Sequence, residues 1–77
     1  MVETANMSLS TSPRPVARAR AARFWTQSEL AKRAGVSVAT VIRAEDGQSI
    51  SLISQARLAT ALGAPLDDLF PVQEAAS

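Results

Sequence analysis

The side chains able to do chemistry in this chain are few and of one kind. It contains no Cys and no His, which removes disulfides, Cys/His zinc sites and catalysis by thiolate or imidazole. The carboxylates Asp67 and Asp68 are adjacent, but no base or nucleophile accompanies them to build an acid–base site. No enzyme activity, cofactor or metal is therefore expected. What remains is non-covalent. Arg14, Arg18, Arg20, Arg23, Lys32, Arg33 and Arg43 stand between residues 14 and 43 against the single acid Glu29. From residue 44 onward the balance reverses, with Arg57 facing Glu45, Asp46, Asp67, Asp68 and Glu74. The net charge of +1 thus hides a dipolar molecule, whose basic part is the candidate surface for a polyanion.

At 77 residues, one small domain is expected, without room for an effector-binding domain beside it. Lacking staples, it must be held by compact helix packing or by association with another chain. No apolar run approaches the ~20 residues that would span a bilayer. The start has neither a basic n-region nor an apolar h-region, so no signal peptide is expected. Those readings point to a cytoplasmic protein. Residues 1–13, rich in Ser, Thr and Asn, are expected to be a disordered arm, 14–71 the domain, and 72–77 a tail.

The elements are legible from their punctuation. Pro13 and Pro15 mark entry to a first helix, expected from Val16 to about Trp25 in a run of Ala and Arg. Thr26-Gln27-Ser28-Glu29 fits a capping box, with Trp25 and Leu30 placed for a hydrophobic staple. The helix it opens is expected to end at Gly35. Ser37 caps a third helix running from Val38 to about Asp46, which Gly47 stops. Ser51 caps a fourth over Leu52 to Leu62, ended by Gly63. Pro65 opens a short fifth through Phe70, with Asp67 and Asp68 where the helix dipole favours acids. Five helices and no strand alternation predict an all-α fold.

Two short helices joined by a Gly-led link of three residues match a helix-turn-helix, from about Gln27 to Asp46. On that match, and on the string Thr26 to Ser37 with Thr40-Val41, Arg43, Glu45, Gly47, Leu58-Ala59, Ala61-Leu62-Gly63 and Leu66 to Phe70, the chain resembles the XRE-type (Cro and lambda-repressor-like) family. The resemblance implies a compact five-helix domain that binds double-stranded DNA. It implies that helix three enters the major groove and that Gln27, opening helix two, bonds a phosphate next to that helix and buttresses its first residue. The alternative for Gln27 is an ordinary exposed first-turn residue. The resemblance further implies that Arg20 and Glu45 form a structural ion pair.

Helical spacing turns Val41 and Ala44 inward and leaves Ala39, Ile42 and Arg43 outward, with Val38 at the N-terminal edge. These four are the candidate base contacts. Arg43 has the fork for guanine O6 and N7, or else serves a phosphate. Val38, Ala39 and Ile42 could pack on thymine methyls, where the family often has Gln, Ser and Asn. For Val38 and Ile42 the alternative is packing on the domain or on a partner protein. Gln27, Ser37, Thr40, Arg14 and Gln48 are the candidate phosphate contacts. Trp25 and Phe70 are expected to cap the core. Phe24 stands where relatives turn with a small residue or Gly.

The function expected is a small, nucleoid-associated repressor, acting by promoter occlusion as a homodimer through its C-terminal helix region. A DNA-binding antitoxin that orders on a toxin, or an interaction module for another regulatory protein that has lost DNA binding, are the alternatives.

Overall fold

A computed structural model describes residues 14–71, and the expected arm and tail lie outside those residues. Among the described residues the fold is all-α: α1 Pro15–Ala22, α2 Gln27–Ala34, α3 Val38–Glu45, α4 Leu52–Leu62 and α5 Leu66–Leu69. None of these helices is long and apolar enough to cross a membrane.

The starts of α2, α3 and α4 are set by side-chain oxygens. Thr26 Oγ1 accepts from the Glu29 N–H at 3.0 Å while the Glu29 carboxylate accepts from the Thr26 N–H at 2.9 Å, so both halves of the capping box are made. Ser37 accepts from the Thr40 N–H and Ser51 from the Ser54 N–H, each at 3.1 Å.

The ends share one device. In α1, α2, α3 and α4 the chain leaves the helix through a left-handed residue whose successor donates its N–H back to a carbonyl in the last turn: Trp25 to Arg20, Val36 to Ala31, Gln48 to Arg43 and Ala64 to Ala59. This is the Schellman closure. At three of the four left-handed positions stands a glycine, Gly35, Gly47 or Gly63, and at the fourth stands Phe24 with φ +59°. Those three are all the glycines the chain has. The expected end of α1 near Trp25 therefore falls short at Ala22, because Phe24 terminates the helix without looking like a terminator.

Each helix turns a narrow apolar stripe inward. Val16 of α1, Leu30, Ala31 and Ala34 of α2, Val41 and Ala44 of α3, Leu58, Ala59 and Leu62 of α4 and Leu69 of α5 make one core. Trp25 and Phe70 lie half-buried against its rim. Alanines at Ala31, Ala34, Ala44 and Ala59 let the helix axes approach closely, so that α2 packs on both α3 and α4 while α1 rests on α3 and α5. Five larger side chains, Leu30, Leu58, Leu62, Val16 and Val41, are almost wholly enclosed. With so few, each holds a large share of the stability. Leu58→Ala is expected to cost about 2–5 kcal/mol. Urea unfolding should show a lowered midpoint; a loss below about 1 kcal/mol would mean that the site collapses freely around the smaller side chain.

Candidate nucleic-acid interface

The outer face of α3 is made by subtraction. Val41 and Ala44 are buried, so the spacing of the helix forces Val38, Ala39, Ile42 and Arg43 outward together. All four are exposed, Val38 at 39% and Ile42 at 41%. Arg43 is the one hydrogen-bond donor among their side chains. The face is thus a methyl-rich surface with a single guanidinium near its C-terminal end.

Around this face the polar candidates fall into two groups, one at each end of α3. At the N-terminal end, Ser37 and Thr40 are joined hydroxyl to hydroxyl at 2.9 Å. At the C-terminal end, Gln27, Arg14 and Gln48 converge. Gln27 Nε2 donates to Glu45 Oε1 at 3.0 Å, so the first residue of α2 supports the last residue of α3, where its first was expected. Arg14, just ahead of α1, lies across the bare Cα of Gly47: a Cβ there would stand 2.6 Å from Arg14 Cζ. Gln48 closes α3 through its backbone and is exposed. An eight-residue helix is about 12 Å long, close to the width of the B-DNA major groove. Groups at its two ends therefore stand about one groove width apart.

What fixes this arrangement is Glu45. Its carboxylate receives Arg20 Nε at 2.5 Å and Arg20 Nη2 at 3.1 Å, in the fork-to-fork geometry, together with the Gln27 amide. Arg20 Nη1 donates in addition to the Trp25 carbonyl at 2.9 Å. One half-buried guanidinium thereby joins α1, the α1–α2 turn and the end of α3. The Glu45 side chain is 8% exposed and that of Arg20 is 22% exposed. The hydrogen bond to Glu45 raises Arg20 above its ordinary pKa, against the smaller opposing effect of partial burial, so the guanidinium stays charged at any working pH.

Other cations prove to be occupied inside the domain. Arg23 donates to the Ala19 carbonyl at 2.7 Å and to the carbonyl of Leu62, holding α1 to the end of α4. The Arg33 guanidinium lies 4.3 Å from the centroid of the Trp25 ring, a cation–π contact. Sequence spacing gave no sign of either contact, since both depend on how α1, α2 and α4 cross. Gln27's bond to Glu45 was equally invisible, being a contact between residues eighteen apart. The C-terminal segment is also partly consumed: Leu69 is buried and Phe70 half-buried, so its outer side presents Asp67 and Asp68. Among the described residues, the large aliphatic side chains left most exposed are Leu52 and Ile53, each at 68%.

The family model described as Helix-turn-helix matches residues 16–69, which takes in every described helix except the first residue of α1. No curated protein and no solved structure matches the chain.

The Glu45 junction makes a quantitative prediction. Glu45→Ala strands a half-buried Arg20 and should cost about 3 kcal/mol, whereas Arg20→Met combined with Glu45→Leu should recover more than half of that loss. A double-mutant cycle in urea checks it; a coupling energy below about 0.5 kcal/mol would show that the two side chains act independently.

Proposed function

The chain belongs to the XRE/lambda-repressor-like helix-turn-helix family and is a DNA-binding domain of the transcription-regulator type; from that premise we propose that it is a sequence-specific regulator that represses by occluding a promoter. The observation that carries this reading is the layout of α3. An outward face 12 Å or so in length, bordered at both ends by phosphate-seeking groups, suits a helix lying in the major groove.

In this reading the side chains divide their work. Ser37 and Thr40 at one end, with Gln27, Arg14 and Gln48 at the other, seat the domain on the two phosphate rows without reading sequence. Gln27 holds Glu45 through one amide hydrogen, and the remaining amide hydrogen is the one offered to a phosphate. Arg43 reads a guanine edge, and Val38, Ala39 and Ile42 select thymine methyls. Discrimination by methyl contact is weaker than by paired hydrogen bonds, so the domain draws more of its affinity from the backbone than relatives with polar readers do.

A single copy would bury roughly 600–1,000 Å², modest for specific affinity. Two copies on a pseudo-palindrome, about one helical turn apart, supply the remainder. The acidic outer side of α5 and the Leu52–Ile53 pair are the surfaces available for that homodimer. The apolar quality of Val38, Ala39 and Ile42 also favours a second reading, an interaction module that seats a regulatory protein on α3.

Site selection from a random duplex library separates the two readings. Symmetric half-sites about 10 base pairs apart are expected, and enrichment of no sequence would overturn the first. Within a selected site, Arg43→Ala should relax preference at one base pair by about 1–3 kcal/mol, while Arg14→Ala should weaken binding evenly across sequences and lower the salt slope by about 1. Titration by fluorescence anisotropy at several salt concentrations measures both; a slope near zero for the parent protein would favour the interaction module.

A further inference from the structure

The guanidinium of Arg14 has a fixed place and no acceptor. Its Cζ and Nε lie against the bare Cα of Gly47, where a Cβ would come within 2.6 Å of both, so the side chain is laid across the exit of α3. Arg20 and Arg23 donate to oxygens of the domain and Arg33 lies on the Trp25 ring. Arg14 has no hydrogen bond or ion pair among the described residues.

Arg14 also lines a cavity of about 450 Å³, a volume within the range of small-molecule sites. Three separate stretches of chain form it: the entry to α1, the α3–α4 connection and the end of α5. Its wall has two sides. Arg14, Gln48, Ser49 and Gln55 supply polar groups, while Pro15, Leu69 and Phe70 supply an apolar surface. No carboxylate belongs to it. The side chains of Gln48 and Ser49 have no hydrogen bond among the described residues, and Gln55 makes only a 3.5 Å contact with the Ile50 carbonyl. All three are free to turn toward a ligand.

The chemistry of that ligand follows from the wall. An unpaired guanidinium fork matches a carboxylate in bidentate geometry. Leu69 and Phe70 call for an apolar body attached to the acid. A DNA phosphate meets only the first demand, since it would engage the fork and leave the apolar side wet.

We propose that this cavity is a site for a small organic acid, a carboxylate with an apolar or aromatic body, and that its occupation withdraws Arg14 from the DNA backbone. The withdrawal rests on the duplex-binding reading above, whereas the site itself does not. The domain thereby carries an effector site of its own at the end of α3.

The test titrates the isotope-labelled full chain with 3-phenylpropionate, followed by NMR. Saturable shifts of the Arg14 Nε–H and of the Ser49 and Phe70 amides are expected, with Kd on the order of 1 mM. Neutral 3-phenylpropanol, and acetate without the apolar body, should each bind at least about tenfold more weakly. Arg14→Gln should weaken 3-phenylpropionate by about tenfold or more. Arg57→Gln, which removes a cation beside Gly35 and outside the wall, should not. In anisotropy titrations of a fluorescein-labelled duplex, about 10 mM 3-phenylpropionate, against the same concentration of acetate, should weaken the parent several-fold and lower its salt slope by about 1. Duplex binding by Arg14→Gln should not respond. Absence of a saturable shift at Arg14, or equal binding of the three probes, would overturn the site. A probe that binds at Arg14 without changing duplex affinity would overturn the withdrawal. Should the parent bind the probe and no duplex at all, the acid site would stand and the duplex reading would fall.

Discussion

The orientation of α3 on its neighbours depends on the carboxylate of Glu45. It is the terminal residue of that helix, and it holds Arg20 from α1 and Gln27 from α2 at once. A buried charge of this kind contributes little net stability over an apolar substitute, since desolvation offsets most of the attraction. Its contribution is directional. Hydrophobic contact among small residues such as Ala31, Ala34 and Ala44 would allow α3 to slide or rotate on α2 at small cost. A guanidinium fork and an amide meeting one carboxylate do not.

That division between packing and orientation recurs through the domain. The core is shallow and depends on a few enclosed side chains, with alanines setting how near the helices come. Specific geometry is added by polar groups at helix ends: the reciprocal capping box at Thr26 and Glu29, serine oxygens ahead of α3 and α4, and Arg23 on the last carbonyl of α4. The basic residues that look in sequence like a surface for a polyanion are thus divided. Arg20, Arg23 and Arg33 hold the domain together, and Arg14 and Arg43 remain at the α3 face.

The parts of this fold that could be read from the sequence are those governed by local hydrogen bonding. The limits of α2 and α4 follow from Thr26, Ser51, Gly35 and Gly63, because cap and left-handed exit act within one turn. The end of α1 could not be read so well, since the Ala/Arg run carries no breaker and Phe24 imitates none. Of the site, the outward set on α3 follows from helical spacing around Val41 and Ala44. The pairing of Arg20 with Glu45 was available only through family resemblance, and the Gln27–Glu45 bond not at all. Contacts across many residues depend on crossing angles, which spacing does not encode. The same reason hides the exposure of Leu52 and Ile53, whose types suggest a core.

The chain has a single Trp, and its placement gives the molecule a built-in optical probe. Trp25 immediately precedes the cap of α2, is half-buried against the core and has the Arg33 cation 4.3 Å from the centre of its ring. Indole emission responds to nearby charge and to hydration. Its wavelength and intensity should therefore register the seating of α2, and events next to Gln27, without any label being attached.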